Sequence, residues 1–511
     1  MRRARLTCGC GKEHSVRPVV VHVAAEVSPF HKSGGLGDVL SGLPPALARA
    51  GYDVRVVTGR FGYGSTFLSL GGERALRPWP VALELSLGGQ RIEARVFEAH
   101  THGGDVITYF VDAPHLSRGG LYGYADDPFR FAILGKAAIA IASVLKRAKS
   151  IGPLSIIHAH DWHAALSIYY AKSEPSSARG VPTVFTIHNL AFQGEAEGST
   201  APYLDVPWDD FHASFENHGT LNLMKGAILH ADRVTTVSPN YAREIQTPAY
   251  GQGLDGLLRH VAGKLSGIVN GIDTRAWNPK SDVALPVTFS PESLDARETV
   301  REALRWELGL ENRDDVPLLG MVSRLTAQKG VDWLCDVAAR WVAEGGQLAV
   351  LGEGDQALEH RLHWLEVGHR GSISYRRAFD DGLARRIYGG SDLFVMPSRF
   401  EPCGLAQLYA MRYGSIPIAR ATGGLVDTIA PLHNRFDVGG ATGILYEGDD
   451  AAALEASLRW GRELVYDSKA IERLRKNAMA RNHSWDEAAK GYVALYRSLG
   501  AEPIVATRAH V

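Results

Sequence analysis

The chain has 511 residues, 45% hydrophobic and 22% charged, with 55 basic and 56 acidic side chains and a formal net charge of −1. At ~150 residues per domain, this length predicts about three domains or two large α/β ones. The charge balance argues against a protein whose main partner is nucleic acid or an anionic membrane, though not against a local basic site.

Arg2, Arg3 and Arg5 are followed by no apolar stretch, so no signal peptide is expected and a cytoplasmic protein is the default. Cys8, Cys10 and His14 are too few for a usual four-ligand zinc site and read as a loose extension. With Cys335 and Cys403 they make four cysteines, which is no secreted-type framework. Glycine is in excess at 55 residues, a hint of tight loops where the backbone approaches a ligand.

From residue 19 onward, strand and helix patterns alternate. VVVHV at Val19–Val23 predicts a buried parallel strand. A glycine-rich loop follows, then a helix from Asp38 to Ala50 and strands at Val54–Thr58, Ile156–Ala159 and Thr183–Ile187. The run Phe131–Leu145 contains Lys136 and reads as a buried helix rather than a membrane span. Leu257–Ile272 predicts a short strand and a turn at Asn270-Gly271. From Asn278 to Glu292 the pattern breaks around Pro279, Pro286 and Pro291, which predicts an interdomain linker. A second alternating block has strands at Leu318–Val322, Gln347–Leu351, Ser372–Tyr375, Leu393–Met396 and Ile416–Ala419. The expected fold is therefore two α/β halves, each a doubly wound parallel sheet, with a ligand cleft between them.

Several loops carry candidate chemistry. Lys32-Ser-Gly34-Gly35-Leu-Gly-Asp38 opens a helix but fits neither a P-loop nor a dinucleotide fingerprint. Its amides and Lys32 suit an anion, or else it is a mere tight turn. Gly352-Glu-Gly-Asp-Gln-Ala357 fits the loose dinucleotide form, which keeps a nicotinamide-dependent dehydrogenase as an alternative. His158-Ala-His160-Asp161-Trp-His163 is either a metal site or, preferably, a hydrogen-bonded polar corner. Thr186-Ile-His188-Asn189 is a second such corner. Arg324 and Lys329 share one loop and could clamp a diphosphate without metal. In Pro397–Leu405, amides near Gly404 and Leu405 could accept phosphate oxygens. Glu401 would repel that phosphate and is better suited to accept from sugar hydroxyls. Thr422-Gly423-Gly424 repeats the arrangement one strand later. Together these groups suit a nucleotide-linked sugar.

In this order the motifs resemble the bacterial glycogen synthase and plant starch synthase family. The resemblance rests on Lys32–Leu36, His158–His163, Thr186–Asn189 with Gln193-Gly194, Asn270–Asp273, Arg324–Lys329, Pro397–Leu405 and Thr422–Gly424, over about residues 19 to 500. It implies the GT-B architecture of two facing Rossmann-like domains. It also implies a retaining transfer of glucose from ADP-glucose to the non-reducing end of an α-1,4-glucan such as glycogen, with no cofactor and no metal.

Arg324 and Lys329 match the family's diphosphate-binding pair, and Lys32 its lysine reaching the donor phosphate from the other domain. Glu401 matches the essential acid near the donor glucose, and His188 the histidine near the reacting sugar. Asp161 and Asn270 match other cleft residues. Phe379 falls where relatives often stack an aromatic on adenine. Gly34, Gly35, Asp38, Asn189, Cys403, Gly404, Leu405, Thr422, Gly423 and Gly424 complete the expected substrate-binding set.

The implied division is an extension at 1–18, an acceptor-side domain at 19–275 and a nucleotide-sugar domain at 276–485. A final helix at 486–511 returns to the first domain. The Cys8–His14 extension and the arginine-rich helix Arg297–Leu310 depart from the family pattern. Rival readings are a pyridoxal-phosphate-dependent phosphorylase, a dehydrogenase and a non-enzymatic glucan-binding protein.

Overall fold

The computed structural model describes residues 17–62, 76–148, 151–173, 178–434 and 436–504. Cys8, Cys10 and His14 lie outside them.

Two sheets organise the chain. The first has ten strands. Its parallel part runs Leu265–Gly267, Arg233–Thr236, Thr183–Ile187, Leu154–His160, Val19–Val23, Asp53–Gly59, Val106–Asp112. Beyond it an antiparallel edge is built on Gln90–Thr101. The second sheet has six strands, all parallel: Ile373–Arg376, Gln347–Leu351, Leu318–Val322, Leu393–Met396, Ile416–Arg420, Ile444–Tyr446. The strands are short β-branched or aliphatic runs buried on both faces, as parallel strands covered by helices must be. Val19, Val20, Val21 and Val23 are all fully buried.

The order of the strands locates the ligand crevice. Strand order reverses between Val19–Val23 and Leu154–His160 in one sheet, and between Leu318–Val322 and Leu393–Met396 in the other. Ligands of such sheets bind outside the carboxyl ends at this reversal. The loops there are the Lys32 loop and Asp161 on one side, and Arg324–Lys329 and Pro397–Leu405 on the other.

Three elements differ from the sequence expectation. The first helix spans Gly35–Arg49, so the glycine-rich segment is its first turn. The short strand expected within Leu257–Ile272 is Leu265–Gly267, and a helix that was not expected, Asp255–His260, precedes it. Leu254, Leu257, Leu258 and Val261 repeat every three to four residues, a helical period. The edge strands Leu83–Leu87 and Gln90–Thr101 have no counterpart in the expectation, although their alternation of exposed and buried residues is that of a half-exposed antiparallel pair.

Asp127–Arg147 is long and apolar enough to cross a membrane by length and composition, but packs inside the core of the first half. Asn278–Glu292 has neither helix nor strand, and its Leu285 and Phe289 are buried against the second sheet's helices. The helix Ala296–Leu308 uses its arginines internally: Arg297 donates to the carbonyls of Tyr413 and Ser391, and Arg305 to that of Val316. Trp485–Ser498 crosses back and packs on Gly35–Arg49, with Trp485 buried against Gly42.

Candidate active site

A cavity of about 730 Å³ lies between the carboxyl ends of the two sheets. From the first half it is lined by Lys32, Gly34, Gly35, Asp38, Asp161, His188, Asn189 and Asn270. From the second come Arg324, Lys329, Phe379, Glu401, Cys403, Gly404 and Leu405. Thr422, Gly423 and Gly424 do not line it. The halves touch here: Lys32 Nζ lies 5.7 Å from the centre of the Phe379 ring.

On the second sheet's side, Lys329 and Glu401 form an ion pair, with Nζ 2.5 Å from Oε2. Ser398 Oγ donates to the same oxygen at 3.0 Å. Glu401 is only 5% exposed, so its charge is held by these two neighbours rather than by solvent. Gly330 ends the Lys329 turn at φ +67°, and a Cβ there would stand 2.0 Å from the Pro397 carbonyl oxygen. Only glycine lets the two loops approach this closely. The Arg324 guanidinium has no hydrogen-bond or ion-pair partner among the described residues. Burial pushes the Cys403 thiol up to about 12, so it stays protonated.

Thr422–Gly424 has a different role from the anion-facing turn expected. Gly424 N–H donates to the Glu401 carbonyl at 3.0 Å. Gly423 N–H donates to the Glu244 carboxylate of the other half at 2.8 Å. A Cβ on Gly423 would lie 1.9 Å from the Glu401 carbonyl oxygen. The turn therefore backs the Glu401 loop, and its amides are already used.

The Lys32 loop is likewise pre-tied. Glu26, 4% exposed, accepts from Ser33 N–H at 2.8 Å and Gly34 N–H at 3.0 Å. It also accepts from Ser33 Oγ and the Tyr122 hydroxyl. The Ser33 and Gly34 amides are therefore not open to an anion, and Lys32 supplies the loop's positive charge. Lys32 is itself paired with Asp38 at 2.7 Å. Glu26, Tyr122 and Glu244 escaped the sequence reading because none lies in a recognisable motif.

The polar corner is buried. Asp161 has φ +57°, and its Oδ1 accepts from His188 N–H at 2.7 Å. Burial pushes its carboxyl up to about 7, against the pull of the His188 and Asn189 amides. Burial also takes the His188 imidazole down to about 3 and holds His158 and His160 well below the ordinary histidine value. Asn189 Oδ1 accepts from Ala191 N–H, whereas Asn270, which lines the cavity, has its Oδ1 buried with no partner.

Ring nitrogens of His22, His158 and His160 come within 4.8 Å of one another. Those of His158 are taken by Tyr496 and Thr186, and those of His160 by His22 and His188. The cluster is thus the hydrogen-bonded corner preferred from sequence.

The dehydrogenase alternative loses its site. At Gly352–Ala357, Gly354 N–H donates to Glu359 and Ala357 N–H to Asp355. A Cβ on Gly352 would meet the Ser323 carbonyl at 1.9 Å, so these glycines serve loop packing rather than a pyrophosphate.

Two doubly wound halves, with cations from both and a buried carboxylate facing one cavity, define a GT-B glycosyltransferase. Two family patterns match the chain: the starch synthase catalytic domain over residues 19–260, and glycosyl transferases group 1 over 316–460. A glycogen synthase of Anaeromyxobacter (strain Fw109-5) is 41% identical over 497 residues, covering 94% of this chain and 99% of the relative. One from Streptococcus equi subsp. equi is 40% identical over 502 residues, with the same coverage. Among solved structures, the catalytic domain of starch synthase IV from Arabidopsis thaliana, bound to ADP and acarbose, superposes with a TM-score of 0.83 at 31% identity. That likeness covers 95% of this chain and 100% of the other. The chain belongs to the glycogen synthase and starch synthase family, glycosyltransferases that elongate α-glucans.

Proposed function

We propose that this chain transfers glucose from ADP-glucose to the non-reducing end of an α-1,4-glucan, with retention of configuration, and releases ADP. The observation that carries the reading is the single cavity joining Lys32, Asp161 and His188 of one half to Arg324, Lys329 and Glu401 of the other. The starch synthase IV structure, bound to ADP and acarbose, supports both the donor base and a glucan acceptor. In this reading residues 19–275 form the acceptor side and 276–485 the nucleotide-sugar side. The enzyme works in the cytoplasm without cofactor or metal.

The difficult event is cleavage of the anomeric C1–O bond to the nucleotide. Negative charge grows on the leaving phosphate while positive charge spreads over the sugar ring. Arg324 and Lys329 stabilise the phosphate charge from one side and Lys32 from the other. Lys329 can do so while bound to Glu401, because an ammonium group has three N–H donors. Glu401 accepts from the glucosyl hydroxyls. Phe379 stacks on adenine, and Gly404 and Leu405 close the phosphate turn. The Thr422–Gly424 turn contributes indirectly by holding the Glu401 loop. The acceptor 4-hydroxyl attacks C1 on the face the phosphate leaves, forming the new C1–O bond. Its proton passes to the departing phosphate oxygen. Asp161 and Asn270 orient the sugars.

Lys329→Ala and Arg324→Ala should each lower kcat by about 10²-fold or more, the scale for loss of one transition-state donor. Steady-state ADP release checks this, and activity within a few-fold of the parent enzyme contradicts the clamp.

A further inference from the structure

The most unusual feature behind the cleft is a row of three imidazoles. His22 interrupts the β-branched strand Val19–Val23 and is fully buried. Its Nδ1 lies 2.9 Å from His160 Nε2, and the two rings stack at 5.2 Å with 17° between their planes. His160 Nδ1 in turn lies 3.0 Å from His188 Nε2. The outer nitrogen at each end is what matters. His22 Nε2 is buried and has no hydrogen-bond partner. His188 Nδ1 has no partner among the described residues, and its ring lines the cavity.

A neutral imidazole has one N–H donor and one lone-pair acceptor. Three neutral rings joined by two hydrogen bonds therefore have only two arrangements of protons. In one, each ring donates toward His22, and a buried N–H is left orphaned at His22 Nε2. In the other, each ring donates toward the cleft, and only a lone pair is orphaned there. An orphaned buried N–H is the rarer of the two defects. Burial holds all three rings below the ordinary histidine value of 6.5, which supports neutral rings.

We infer that His22 and His160 are positioning residues that lock His188 as a neutral imidazole with its proton on Nδ1, directed into the cavity. His188 then acts as a hydrogen-bond donor toward an oxygen of the bound sugar. Its cleft-facing nitrogen has no lone pair, so it does not take the acceptor's proton. The role at the sugar rests on the proposed glucosyl transfer; the tautomer does not. The lock also explains a histidine in a strand otherwise built of valine.

The test is a long-range ¹H–¹⁵N correlation spectrum of the full chain labelled with ¹⁵N-histidine, with the His188 signals assigned by their loss in His188→Gln. The expected result at neutral pH is a single neutral His188 ring, protonated on Nδ1. Protonation on Nε2, or on both nitrogens, overturns the inference. His160→Phe keeps an aromatic ring in the stack but removes both bonds. It should lower kcat about 10- to 100-fold, the scale of a misplaced catalytic group. The KM for ADP-glucose should change less than about threefold, because donor binding is retained. Both His188 tautomers should then appear. An unchanged kcat with one tautomer retained removes the positioning role. If that variant does not fold, the parent spectrum still decides the tautomer. Failure of ADP-glucose as a donor leaves the spectrum readable, so the two failures are distinguishable.

Discussion

Lys329 and Glu401 show how single residues here were half legible. Their loops were readable from spacing: two cations five apart, and an acid before a helix. Their mutual 2.5 Å contact was not, because it joins positions 72 residues apart in the chain. The same holds for Glu26, which accepts three hydrogen bonds from the Lys32 loop and a fourth from Tyr122, and for His22, hidden in a valine run.

Burial of titrating side chains has a measurable consequence. His22, His31, His158, His160, His163 and His188 all sit below the ordinary value of 6.5. On unfolding they take up protons that the folded chain refuses, so their contribution to stability is lost as pH falls below 6.5. Each ring contributes about 1.4 kcal/mol per pH unit in that window. Asp161 works the other way: its carboxyl, at about 7, is protonated in the fold, and the stability this gives is lost as pH rises from 3.8 toward 7. Burial raises the Asp38 and Glu244 carboxyls in the same sense, but six rings outweigh three carboxyls. The thermal midpoint should therefore drop steeply from pH 6.5 to 5, and a flat midpoint over that range contradicts the buried neutral cluster.

At the scale of elements, the strands were legible and the caps were not. Val19–Val23, Thr183–Ile187 and Leu318–Val322 are short runs rich in β-branched and aliphatic residues, whose burial follows from composition. Within Leu257–Ile272 the short strand is Leu265–Gly267, while the helix Asp255–His260 before it went unread because short apolar runs leave helix and strand ambiguous. The glycine-rich turns were assigned to anions on spacing alone. In the fold, neighbouring carboxylates and carbonyls occupy several of their amides: Glu26, Glu244 and the carbonyl of Glu401. Glycine there serves close approach of backbone to backbone.

Gly42 makes this point for helix packing. A Cβ on it would lie 1.9 Å from the Trp485 indole nitrogen, where the last helix docks on the first. Gly42→Ala should cost about 1–3 kcal/mol through overpacking. A lowered midpoint in chemical denaturation checks this, and an unchanged one means the helix shifts at no cost.

For the whole molecule, the alternating pattern predicted two doubly wound halves, and the reversal of strand order in each sheet explains why the candidate residues share one cleft. Which faces meet is set by contacts with no local signature. The last helix returns to the first half through Trp485, Tyr492 and Tyr496. Asn240 and Glu244 reach across to Asp427 and Gly423. These contacts hold Lys32 within reach of the Arg324–Lys329 loop, on which transfer across the cleft depends.

The most direct test of glucosyl transfer is nucleotide release with glycogen present, comparing ADP-glucose with UDP-glucose as donor. The expected result is release of ADP matched by glucose incorporated into glycogen, with UDP-glucose the poorer donor. Release of neither nucleotide, or ADP release without growth of the glucan, would contradict it.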